Sequence, residues 1–169
     1  MPQALDGPRV SALIKDCPPL DANSAYCNLL QCTHFADSCM VAERQDQLVG
    51  WLSGYRLPSA PEQFFVWQIA IHPSSRGTGL ASRMLAEMLD RDAMAGVDTL
   101  LASITERNTA SWQLFSAFAR RHGAEMTRHP MFDAQAHFAG RHETEHLVSI
   151  ALPSRHRPSR SSQLQSEEI

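Results

Sequence analysis

Long apolar runs are missing from this chain. No stretch reaches the roughly 18 residues that a helix needs to cross a bilayer, so no transmembrane helix is expected. The opening "MPQALDGPRVSALI" has no basic region ahead of a long apolar core and does not read as a secretory signal. A basic excess is missing too. Fifteen Lys and Arg stand against 18 Asp and Glu, for a net charge of −3, and gripping phosphate backbones needs a basic face. Membrane and nucleic acid are therefore poor partners. Cysteine is scarce: Cys17, Cys27, Cys32 and Cys39 are the four. None forms a CxxC pair and no Cys/His set has zinc spacing, so no metal is expected. Free thiols in a reducing cytoplasm are the expected state. There is no internal repeat.

What is present suits one globular domain. The 169 residues are 43% hydrophobic and 20% charged, ordinary values for a packed fold. "LDGPRVSALIKDC" predicts a first helix with Asp6 as its N-cap and Val10, Leu13 and Ile14 on one face, ended by Pro18 and Pro19. "LDANSAYCNLLQCTHF" predicts a second helix, entered through Asp21, Asn23 or Ser24, that buries Leu29, Leu30 and Cys32. "CMVAER" and "QLVGWLSGYRL" predict a hairpin turning near Gln45 and Asp46. "PSAPE" reads as a loop, and "QFFVWQIAIH" as a strand buried on both faces. From Gly77 the period changes: Leu80, Ala81, Met84, Leu85, Met88 and Leu89 share a helix face, with Gly96 as the stop. "VDTLLASIT" is a strand, Asn108 caps the helix "TASWQLFSAFARRHG", and "HETEHLVSIAL" is a last strand. The expected domain is 1–152, a single-sheet α/β (α+β) layer fold. The Ser- and Arg-rich tail, 153–169, reads as disordered or loosely attached.

The segment "IAIHPSSRGTGLASRML" raises the functional question. Two glycines open a helix, where free N–H groups and about half a positive charge are exposed. Small residues there let a pyrophosphate approach, although a bare turn also accounts for glycines. A dinucleotide-binding loop fits badly: Ser82 holds the third glycine position, and His72 to Arg76 separate strand from glycine. The Walker pattern Gly-Lys-Ser/Thr is absent.

Arg76-Gly77-Thr78-Gly79-Leu80-Ala81 instead fits R/Q-x-x-G-x-G/A, the pyrophosphate signature of the GNAT superfamily of N-acetyltransferases. "VWQIAIHPSSRGTGLASRML" and "NTASWQLFSAFARRHGA" resemble two consecutive elements of that superfamily. The resemblance covers roughly Cys39 to Leu152. It implies a mixed central sheet with helices on both faces and acetyl-CoA as cosubstrate. The pyrophosphate would lie on the N–H groups of Gly77, Thr78, Gly79, Leu80, Ala81 and Ser82. Arg76 and Asn108 would border it. Ile69 and Ile71 would pair with the pantetheine arm, and free strand N–H groups would polarise the thioester carbonyl.

The flanks resemble a narrower group. "CPPLDANSAYCNLLQCTHFADSCMVAE", "FVWQIAIHPSSRGTGLASRML" and "HETEHL" are similar to the L-2,4-diaminobutyrate N-acetyltransferases of ectoine biosynthesis, enzymes of the osmotic stress response. That likeness implies N4-acetylation of diaminobutyrate by a cytoplasmic homodimer. It places Asp21, Ser24, Tyr26, Trp67, His142 and Glu145 around the acceptor. Read from the residues alone, Asp21 and Ser24 also suit helix caps, Tyr26 and Trp67 suit core aromatics, and His142 and Glu145 suit a solvated edge strand. On a regular strand those last two would face opposite ways.

The chemistry demands a base. An amine of pKa near 10 costs about 4 kcal/mol to present neutral at pH 7. The superfamily often places a Glu on the strand before the glycine loop, but "QFFVWQIAIH" has no acid inside. Glu145 and His142 are the candidates, then Asp21, with another carboxylate holding the spectator amine. Phe115 stands where many relatives carry a Tyr acid, which leaves Tyr26, water or an unassisted thiolate. An acetyl-Cys32 intermediate is unnecessary for direct transfer. The superfamily also opens with a strand before its first helix, and only five residues precede Asp6. Two other readings stay open: another acceptor such as ornithine, lysine or a polyamine, and a CoA-binding module without catalysis.

Overall fold

In the structure, a computed structural model, the hairpin turns where the sequence places it. β1 (Met40–Arg44) and β2 (Gln47–Leu57) pair antiparallel through Gln45 and Asp46, at φ +50° and +60°. Those left-handed values match the natural twist of a two-residue hairpin. The structure describes residues 1–153. The tail predicted from Pro153 onward lies, beyond that residue, outside them.

β2 pairs with β3 (Ala60–Ile71), which runs parallel to β4 (Thr99–Thr105). β5 (Met126–Phe132) and β6 (Glu145–Ala151) complete a six-stranded mixed sheet of order β1-β2-β3-β4-β6-β5. Helices α1 (Gly7–Lys15) and α2 (Ala25–Thr33) precede the sheet, α3 (Leu80–Leu89) connects β3 to β4, and α4 (Thr109–Arg121) leads to β5. Two cores result. Val10, Leu13, Ile14 and Cys32 meet Leu48, Trp51 and Ala70 on one face. Met84, Leu85, Met88, Phe115 and Phe118 meet Leu52, Phe64, Val66 and Ile150 on the other. Each fully buried large side chain contributes about 1.5–3 kcal/mol.

Several expectations need correction. Asp6 precedes α1 without capping it: its carboxylate accepts from Arg9 (2.8 Å) and from the Gln3 N–H (2.9 Å). Leu29 is exposed, because the buried side of α2 is Asn28, Gln31 and Cys32. β3 starts at Ala60, inside the predicted "PSAPE" loop. Gly96 does not stop α3, which ends at Leu89 with Asp90 after it; Gly96, at φ +80°, turns the chain into β4. β5 was not foreseen. It is an exposed edge strand containing Pro130, a residue that only an edge tolerates. Among the described residues no strand precedes α1; a 3-10 turn, Ala4–Asp6, does.

β3 is also not buried on both faces, and the reason builds the site. Gly54 pairs with Val66 and Ser53 with Gln68, so Trp67 is an extra residue, a β-bulge. The bulge reverses the alternation. Phe64 and Val66 face the α3/α4 core ahead of it; Ile69 and Ile71 pack against that core after it. Gln68 and Ala70 turn to the α1/α2 side. The β3–β4 pairing stops at Val66 and Ala102, while both strands run on. They splay into a gap.

Candidate active site

Backbone polarity fills one side of the gap. The His72 N–H donates to the Val49 carbonyl (2.9 Å), and Ala70 pairs with Trp51. In an antiparallel ladder the intervening residues point their N–H and C=O the other way. Ile69 and Ile71 therefore present theirs to the gap rather than to β2. The Ile71 carbonyl accepts from Arg76 Nε (3.1 Å) and Cys17 Sγ (3.2 Å).

A cleft of about 520 Å³ runs from these residues to the N-termini of α3 and α4. Ile69, Ile71, Arg76, Gly77, Gly79, Leu80, Ala81, Ser82 and Asn108, residues that the family resemblance assigns to the donor, all line it. Gly77 and Gly79 sit at φ +73° and +76°. A Cβ at Gly77 would meet nothing and one at Gly79 only Arg83, at 3.5 Å. Backbone conformation, not crowding, requires glycine there. Two helix N-termini converge on this cleft, each favouring an anion. Asn108 caps α4, its Oδ1 accepting from the Ser111 N–H (3.1 Å). Ser75 Oγ is buried in the same wall with no partner among the described residues. Such a wall fits a coenzyme A pyrophosphate and pantetheine. Thr78 does not line the cleft; its hydroxyl donates to the Ser75 carbonyl (2.8 Å). The Cys17–Leu20 wall was missed by the sequence reading, because two prolines after a helix gave no sign of what they face.

A second cleft, about 560 Å³, adjoins the first and shares Ile69, Asn108 and Ser111 with it. Asp21, Trp67, His142 and Glu145 line it. His142 precedes β6, in the loop after β5, so it is the chain bend before Glu145 that lets both face one site. His142 Nδ1 lies 2.9 Å from the Glu143 carbonyl, an acceptor only. That nitrogen therefore carries a proton, and in the neutral ring Nε2 has the lone pair. Nε2 faces an Asp21 carboxylate oxygen at 3.5 Å, and Nδ1 lies 3.9 Å from Glu145. A lone pair opposite a carboxylate calls for a proton or an ammonium between them. The Glu143 carbonyl first, then Glu145 and Asp21, raise the His142 pKa above its ordinary value. Burial pushes the Glu145 carboxyl up, against a hydrogen bond from Ser103 and the nearby His142.

Ser24 and Tyr26 are not brought to this cleft. Ser24 caps α2, accepting from the Cys27 N–H (3.1 Å), and Tyr26 is 70% exposed. Tyr26 is thus not placed to protonate a leaving thiolate. Phe115 is core, and Cys32 is buried with its thiol pushed up to about 11, which removes it as a nucleophile. Gln68, Asn23, Ser103, Arg107, Arg141 and Glu143 also line the cleft. The charges crowded around His142 in "GRHETEH" were the available sign for the last two. Arg107 is paired with Glu143 at 2.6 Å; Arg141 has no ion pair among the described residues.

The sequence matches the Acetyltransferase (GNAT) family over residues 8–119. It is 45% identical to the L-2,4-diaminobutyric acid acetyltransferase of Vibrio cholerae, across 90% of this chain and 88% of that one. The enzyme of the same name from Methylotuvimicrobium alcaliphilum is 46% identical, across 88% and 87%. The chain is a diaminobutyrate acetyltransferase-family member of the GNAT class. A solved relative agrees: the diaminobutyrate acetyltransferase EctA of Paenibacillus lautus, in complex with its substrate L-2,4-diaminobutyric acid and coenzyme A. It superposes with a TM-score of 0.86 at 38% identity, covering 89% of this chain and 92% of that one. The expected GNAT domain, with its mixed sheet and helices on both faces, is borne out.

Proposed function

We propose that this chain transfers the acetyl group of acetyl-CoA to the 4-amino nitrogen of L-2,4-diaminobutyrate, giving N4-acetyl-L-2,4-diaminobutyrate and CoA. One observation carries the reading: a cleft holding Asp21, Trp67, His142 and Glu145 opens onto the donor cleft at Ile69 and Asn108. The family relatives named above supply the acceptor. The cleft chemistry favours a carboxylate-bearing diamine over a polyamine, since Arg141, which has no ion pair among the described residues, lines the cleft beside the acids. In this mechanism Asp21 holds the spectator ammonium, and the His142–Glu145 pair takes the proton from the attacking amine. The neutral nitrogen forms the C–N bond at the thioester carbonyl. The C–S bond then breaks, and the electron pair leaves on the thiolate, whose pKa near 8.5 needs little help. The second proton of the nitrogen passes to that thiolate, directly or through water, giving the amide and the CoA thiol. N–H groups of Ile69 or Ile71 stabilise the oxyanion.

We place the reaction in ectoine biosynthesis under osmotic stress, in the cytoplasm, on resemblance to the family. A homodimer joined near the exposed β5 edge, with Met131 and Phe132 outward, fits the same reading. Residues 1–152 act as one domain. The test is thiol release from acetyl-CoA with diaminobutyrate, ornithine, lysine and putrescine, the acetyl position being read by NMR. Turnover confined to diaminobutyrate with the γ-nitrogen acetylated supports the proposal. Preference for another amine reassigns the acceptor, and CoA binding without turnover leaves a binding module.

A further inference from the structure

The segment between α1 and α2 carries Asp21 across the open end of the splay without secondary structure of its own. Asp21's side chain is 86% exposed, so packing does not aim it. Its main chain is held instead. Gln68 Nε2 donates to the Asp21 carbonyl (2.9 Å), and Asn23 Nδ2 donates to Gln68 Oε1 (3.1 Å). Gln68 is only 9% exposed. A buried amide keeps its partners because leaving them unmade costs about 1–3 kcal/mol. The Asn23 contact also fixes which way the amide points, since an N–H donor needs the oxygen. Gln68 reaches this segment because the Trp67 bulge turns it to the α1/α2 side.

We infer that Gln68 is a positioning residue for the acceptor, acting through Asp21: it anchors the Asp21–Asn23 segment to β3 so that the Asp21 carboxylate stands opposite His142 on the β6 side. The inference rests on the acetyltransferase reading above and assigns part of its specificity. A continuous line of contacts then spans the gap: Gln68, the Asp21 main chain, the Asp21 carboxylate at 3.5 Å from His142, and Glu145. Gln68 itself needs no contact with the amine.

The test is a double-mutant cycle on the full chain, with acetyl-CoA and L-2,4-diaminobutyrate. Gln68→Met keeps the volume and removes both hydrogen bonds. It should raise KM for diaminobutyrate roughly three- to ten-fold and leave KM for acetyl-CoA unchanged. In an Asp21→Asn background it should add less than about two-fold, because the carboxylate it aims is already gone. Asn23→Ala, on the loop, keeps the fold and should act in the same direction more weakly, again only when Asp21 is present. Additive losses, an unchanged KM for diaminobutyrate, or a rise in KM for acetyl-CoA would overturn the inference while the function stands. A wild type that does not acetylate diaminobutyrate overturns the function and this inference together.

Discussion

Gly79→Ala separates what a glycine does for the fold from what it does for the ligand. Gly79 lies at φ +76°, where the added methyl finds only the flexible Arg83 guanidinium. Its steric cost is the left-handed backbone, about 1–2 kcal/mol. For a chain of this size that lowers Tm by roughly 2–8 °C. Gly123, at φ +60° with open space around it, ends α4 away from both clefts. Gly123→Ala should therefore show the same order of Tm loss. The two variants should part in CoA binding. Shifting the first N–H groups of α3 loses at least one hydrogen bond to a charged ligand, about 1.5–3 kcal/mol, or roughly ten- to hundred-fold in Kd. Calorimetric titration of both variants with CoA, beside thermal melts, decides it. If Gly79→Ala and Gly123→Ala bind CoA equally well, the pyrophosphate does not rest on the N-terminus of α3.

Other variants probe the acceptor side. Trp67→Ala should raise KM for diaminobutyrate about ten-fold, because the acceptor loses the apolar face of a half-exposed ring that it would cover, with Kd for CoA held; weakened CoA binding would move Trp67 to the donor side. Arg141→Gln should erode the preference for diaminobutyrate over 1,3-diaminopropane, which lacks the carboxylate, and an unchanged ratio counts against Arg141 as counter-charge. Burial raises the Glu145 pKa above its ordinary 4.5, so the folded chain holds that proton more tightly than the unfolded one, and stability is lost as pH rises through the raised value. Glu145→Gln should then gain in Tm on wild type above that value and lose the gain below about pH 4.5, while acetylation falls; a constant Tm difference across pH contradicts the burial cause.

Much of the fold was legible because it was local. The β1–β2 hairpin, the α3 face from Leu80 to Leu89 and the Asn108 cap depend on residues adjacent in sequence. β5 was not legible, because its side chains are exposed and Pro130 speaks against a strand; tertiary pairing with β6 makes it one. Gly96 misled because a glycine marks a left-handed residue without saying which element it serves. The donor loop was readable for the same reason as the hairpin: backbone N–H groups need no distant partner. The acceptor cleft draws Asp21 from before the sheet and His142 from the loop between its last two strands in sequence, so spacing could not join them. Resemblance named Ser24 and Tyr26 as neighbours of the acceptor, while geometry leaves one as a cap and the other in solvent. Gln68 gave no signal at all, since a polar residue within an apolar strand shows its partners only in three dimensions.

The extra residue at Trp67 gives the length of β3 a meaning separate from its composition. Removing any one residue between Phe65 and Gln68 would restore a regular pleat and rotate everything on one side of the deletion to the opposite face. Ile69 and Ile71 would then exchange surroundings with Ala70, and the N–H groups now free in the gap would turn toward β2. Every side chain of the site could survive such a change and the site itself would be gone. In this strand the count of residues is a catalytic requirement as strict as their identity.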